Sequence, residues 1–83
     1  MERWLSLTVL DAPPSKTRRV HISVPKRTVK LAVVRNRIKR VLREAVRRDP
    51  FFETGGVYRL KVNLLPEKVD LNAARKTLEA LHA

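Results

Sequence analysis

Between Pro25 and Arg48 the chain carries Lys26, Arg27, Lys30, Arg35, Arg37, Lys39, Arg40, Arg43, Arg47 and Arg48 against one anion, Glu44. The whole chain has 19 Lys and Arg, 8 Asp and Glu, and a net charge of +11. Nearly all of that surplus therefore sits in one segment. Between Arg35 and Arg48 the cations are arginines except for Lys39. A guanidinium is a planar fork of donors that holds two phosphate oxygens at once and stacks on unpaired bases; an ammonium is only a point charge. Asn36 stands among these arginines with both a donor and an acceptor, so it suits a base edge or a 2′-hydroxyl. Its plainer use would be a local hydrogen bond to the backbone. The chemistry these residues offer is recognition of a polyanion.

A second set is more scattered. Trp4, Arg19, His21, Arg59 and Lys61 fall on the outward positions of three alternating segments. If those segments neighbour one another, these residues form a basic, partly aromatic platform suited to single-stranded RNA. The bland alternative is a solvated face with Trp4 tucked against a loop. No catalytic set of side chains is legible. Cysteine is absent, His21 and His82 are far apart, and Gly55-Gly56 lacks the Lys-Ser/Thr of a phosphate loop. No metal site is expected, and the glycines read as a turn.

The elements that must carry these residues follow from periodicity. Trp4 to Leu10 alternates, with Leu5, Leu7 and Val9 facing one way. Asp11 to Ser15 is a loop, because Pro13 and Pro14 remove ladder donors. Arg19 to Val24 alternates again, with Val20, Ile22 and Val24 inward, and Pro25 ends it. These two segments read as an antiparallel pair. From Val29 to about Arg48 the spacing becomes three and four. Leu31, Val34, Ile38, Val41, Leu42 and Ala45 make one apolar stripe of a helix, with Thr28 as its N-cap and Asp49-Pro50 as its stop. On its polar side Arg35, Lys39, Arg43 and Arg47 stand four apart and repel, and Glu44 is placed to pair with Arg40 and Arg48. Arg35 and Arg37 lie near the positive end of the helix dipole, where a cation is unfavourable. Phe51 and Phe52 fold back onto the core. Val57 to Leu64 is a third strand with Tyr58, Leu60, Val62 and Leu64 on one face. Asp70 caps a last helix striped by Leu71, Ala74, Leu78 and Leu81.

The order strand, strand, helix, strand, helix predicts one α+β domain over residues 1–83. Its expected architecture is a two-layer sandwich, a small mixed sheet of about three strands with two helices on one face. No apolar run is long enough to span a bilayer, and the apolar stripe is needed for the core, which argues against a membrane partner. No signal peptide is expected at Met1 to Leu10. The lack of cysteine fits a reducing cytosol, so a cytoplasmic protein is expected.

At the basic helix the residues resemble a known family. Ala32 to Glu44, reading Ala-Val-Val-Arg-Asn-Arg-Ile-Lys-Arg-Val-Leu-Arg-Glu, is similar to the Arg-Asn-Arg signature of the bacterial ribonuclease P protein component. The preceding Ile22-Ser23-Val24-Pro25-Lys26-Arg27 resembles the strand and basic turn that lead into it. The resemblance implies a protein without catalytic side chains, in partnership with ribonuclease P RNA and precursor tRNA. In that family the RNA subunit, with bound Mg²⁺, removes the 5′ leader, and this chain would not bind the Mg²⁺ alone. By the same resemblance Arg35, Asn36, Arg37, Lys39, Arg40 and Arg43 contact the RNA subunit. Lys26 and Arg27 lie near the leader and cleavage site. Trp4, Arg19, His21, Lys30, Arg59 and Lys61 are further candidates for leader or tRNA contact. The resemblance also implies a left-handed β-α-β crossover, opposite to the general rule. Two departures stand out. The N-terminal helix and extra strand usual in the family do not precede Trp4, so three strands are expected. Lys30-Leu31 stands where the family has Gly-Lys, which displaces the lysine by about 100° around a helix. No protein partner is predicted. A ribosomal-type structural RNA-binding protein is the alternative, and a DNA-binding module a more distant one.

Overall fold

The computed structural model describes residues 4–13 and 16–82. Pro14 and Ser15, read as part of a loop, lie outside the described residues, as does the start of the segment read for a signal peptide. Three strands, β1 (Leu5–Asp11), β2 (Arg18–Ser23) and β3 (Gly56–Val62), form one mixed sheet. Helix α1 spans Ala32–Arg48 and helix α2 spans Leu71–His82, with a short 3₁₀ turn over Pro50–Thr54 between α1 and β3. The α+β sandwich expected from the element order is the observed one.

The pairing differs from the expected hairpin. The strand order is β1-β3-β2, so β1 and β2 do not pair. β3 runs antiparallel to β1 and parallel to β2. Two causes are visible. Parallel strands need a long crossover, and α1 supplies it between β2 and β3. The centre of a sheet also suits the strand with the most apolar inner face. Tyr58, Leu60 and Val62 are at most 1% exposed, whereas Val9 of β1 is 52% exposed.

The inner face of β3 meets Ile38, Leu42 and Ala45 of α1 and Ala74 and Leu78 of α2 in one core with Leu5, Val29 and Phe52. Asp70 caps α2 as expected, its Oδ1 accepting the Ala73 amide at 2.8 Å. Gly56 opens β3 at φ +110°, where a Cβ would stand 2.9 Å from the Tyr58 ring. Only glycine fits that conformation and that approach.

Helix α1 starts a turn later than its periodicity suggests. The Pro25 carbonyl accepts the Thr28 and Val29 amides, both at 3.0 Å, and closes a turn. Val29 then drops into the core from that turn, and Leu31, not Thr28, is the N-cap residue, with extended backbone. Leu31 is therefore not part of the apolar stripe; it is 69% exposed. Leu64 likewise lies beyond β3 and is exposed.

Candidate functional site

The apolar stripe turns the rest of α1 outward. At about 100° per residue, Val33, Asn36, Arg40, Arg43 and Arg47 point most directly away from the buried Ile38, Leu42 and Ala45, and Val33 is 78% exposed. Asn36, Arg37, Arg40 and Arg43 are exposed; Arg35 and Lys39, on the flank, are half-buried. The face is thus a row of guanidinium groups at helical spacing with one amide among them.

Its single carboxylate acts only at the C-terminal end. Glu44 accepts from Arg47 Nη2 at 2.7 Å and from Arg48 Nε at 2.8 Å. The Arg48 pair was expected, but the other partner is Arg47 and not Arg40. Side chains on a helix lean toward its N-terminus, so an acid is met best by cations three or four residues after it. Hydrogen bonds from Arg47 and then Arg48 hold the Glu44 carboxyl well below the ordinary carboxylate value, at about 2. Glu44 in turn raises the pKa of Arg47. Among the described residues, Arg37, Arg40 and Arg43 enter no ion pair.

Arg35 differs from its neighbours. Its Nη1 donates to the Val29 carbonyl and to the Lys30 carbonyl, each at 2.9 Å. Those residues belong to the loop that carries Lys26, Arg27 and Lys30, all three exposed. This loop joins the sheet layer to the helix layer.

The outer sheet face assembles most of the second set. β3 brings Arg59 level with Thr8 on one side and His21 on the other, and Lys61 level with Ser6 and Ser23. Arg19 lies level with Val57. Arg19, His21, Arg59 and Lys61 are all exposed. Ser6, Thr8 and Ser23, which the alternation of β1 and β2 also turns outward, are hydroxyl neighbours left out of the candidate set.

Trp4 is not part of this platform. It precedes β1, and its indole Nε1 donates to Thr77 Oγ1 of α2 at 3.2 Å. It lines a groove of about 580 Å³ between α2 and the segment from Leu64 to Lys68. The strand's alternation does not extend to Trp4, so it turns to the helix side.

His82 also has an unforeseen place. Its Nε2 lies 2.7 Å from Asp49 Oδ2, and its ring stacks on Phe51 at 4.3 Å. Asp49 Oδ1 accepts the Phe51 amide. The contact ties the end of α2 to the end of α1. His21, on the outer sheet face, is not part of it. Among the described residues no group of three or more His, Cys, Asp or Glu stands together as a metal site. No helix among them is long and apolar enough to cross a membrane.

The family model described as Ribonuclease P matches residues 2–82 of this chain. No curated protein and no solved structure matches it.

Proposed function

Because the chain belongs to the Ribonuclease P family, we propose that it is the protein subunit of ribonuclease P, binding the catalytic RNA and assisting removal of the 5′ leader from precursor tRNA. Membership implies an RNA partner and a part in an endoribonuclease complex that processes tRNA. The observation that carries the finer reading is the outward face of α1. Asn36, Arg37, Arg40 and Arg43 are presented to solvent together, and the one acid of the helix is occupied by Arg47 and Arg48. A helix folded for stability alone would place acids among these cations. Phosphates of a folded RNA relieve that repulsion from outside.

In this reading the α1 face, with Lys39 on its flank, grips the RNA subunit. The outer sheet face, through Arg19, His21, Arg59 and Lys61, and the turn with Lys26, Arg27 and Lys30 face the precursor tRNA. The exposed hydroxyl of Thr8 and the cations of that face suit a single-stranded leader. Trp4 does not stack there, since its ring is turned toward α2. In this reading the Mg²⁺ of the reaction is held by the RNA subunit and not by this chain alone. The chain's share is to bind, orient and neutralise, and no step of bond cleavage is assigned to its side chains.

Reconstitution tests this directly. The chain is added to a bacterial ribonuclease P RNA, and cleavage of precursor tRNA is followed from low to high Mg²⁺. Stimulation at low Mg²⁺ that fades at high Mg²⁺ is expected, because metal ions then screen the phosphates in the protein's place. RNA binding without stimulation at any Mg²⁺ would instead indicate a structural RNA-binding protein.

A further inference from the structure

A cation in the first turn of a helix opposes the helix dipole, and α1 has no side-chain N-cap and no acid in its first turn to offset it. Arg35 is placed there nonetheless. The geometry points to a positioning role: we propose that Arg35 staples the basic turn, and acts on RNA mainly through Lys26, Arg27 and Lys30. This rests on the reading that these cations meet RNA.

The staple is made of two bonds from one nitrogen. Nη1 donates to the consecutive carbonyls of Val29 and Lys30 at 2.9 Å each. The carbonyls are thereby drawn to one point, which sets the path of the chain between the Pro25 turn and the Leu31 N-cap. The turn is closed at its other end by the Pro25 carbonyl, which accepts from Thr28 and Val29. Val29 is buried at 3% exposure, so it anchors the middle. The three cations are exposed on the same short loop. An exposed loop with long side chains would lose much conformational freedom on binding RNA. Arg35 fixes its backbone beforehand. The guanidinium also serves where lysine would fail, because a lysine ammonium ends about one bond short of Nη1.

Two measurements on the full chain test the staple. The first is amide exchange in the free protein. Arg35→Ala and Arg35→Lys should both speed exchange at Thr28 and Val29, by roughly tenfold. Unchanged exchange in both variants would overturn the staple, whatever the RNA result. The second is a cycle of precursor-tRNA binding to the complex that each variant forms with a bacterial ribonuclease P RNA. Arg35→Ala alone should weaken binding by about tenfold. In a background of Lys26→Ala, Arg27→Ala and Lys30→Ala it should weaken it by less than about twofold, since the residues it positions are gone. Equal losses in both backgrounds, or full affinity in Arg35→Lys, would show that Arg35 acts by its own charge. If the parent chain binds no such RNA, the proposed function fails and with it the role on RNA, while the exchange result still decides the staple.

Discussion

Arg40 and Arg43 are exposed, stand on the most outward line of α1, and enter no ion pair among the described residues. Each is expected to neutralise one phosphate. Replacing either by Ala should lower the slope of log affinity against log salt by about 0.7–0.9. Stability in urea should change by less than about 0.5 kcal/mol, as for surface positions generally. An unchanged slope would remove that residue from the interface. Glu44 acts in the opposite sense. Its carboxyl is lowered from 4.5 to about 2 by Arg47 and Arg48. A depressed value means that the pair's contribution to stability is present above 4.5 and is lost as pH falls through about 2. The pair is exposed, so that contribution is small. Its effect on binding is larger. Glu44→Gln removes the anion and frees two guanidinium groups, and RNA affinity measured by filter binding should rise about fivefold. A fall would mean that Glu44 orients Arg47 and Arg48 for the RNA.

At the scale of the elements, α1 does two jobs on two faces, and its ends are held by contacts from elsewhere. The C-terminal end is held by Asp49, only 8% exposed, which receives the Phe51 amide on one oxygen and meets His82 of α2 on the other. His82 also lies flat on Phe51. His82→Ala removes the hydrogen bond and the stack, and should cost about 1–3 kcal/mol in urea unfolding. RNA affinity at temperatures where the variant is folded should be unaffected, because this cluster lies off the basic face. Equal stability would mean that the last turn of α2 is not coupled to the core.

For the whole molecule, 36 × 23 × 21 Å in extent, the two basic surfaces look in opposite directions. The helices cover the inner face of the sheet, so the arginines of α1 and the cations of the outer sheet face are separated by both layers. Under the proposed function one face meets the RNA subunit and the other the precursor tRNA. Arg59→Ala with Lys61→Ala should weaken binding of leader-bearing precursor tRNA to the reconstituted complex, yet leave assembly with the RNA subunit intact. Arg40→Ala with Arg43→Ala should do the reverse. If both pairs impair assembly equally, the division of faces is wrong. Affinity for the RNA subunit should fall on the order of a thousandfold between 50 and 200 mM salt for about six phosphate contacts.

What the sequence determined by itself was mostly local. The basic face of α1 follows from the spacing of Ile38, Leu42 and Ala45, because a buried stripe leaves the other residues outward. The stop at Asp49-Pro50, the cap at Asp70 and the alternation of Tyr58, Leu60 and Val62 are local for the same reason. The Arg-Asn-Arg resemblance pointed to the family that the match over residues 2–82 establishes. Tertiary structure decided whatever depends on partners distant in sequence. The placing of β3 between β1 and β2 is a competition among strands for the centre of the sheet, and periodicity cannot rank them. Trp4 went to the helix side because Thr77 of α2 offered its indole an acceptor. Thr28 lost the cap because the Pro25 carbonyl and the burial of Val29 set the turn instead. Arg35 and His82 show the same limit. Each was visible as a charged or polar residue, but the carbonyls that hold one and the carboxylate that meets the other come together only when the chain folds.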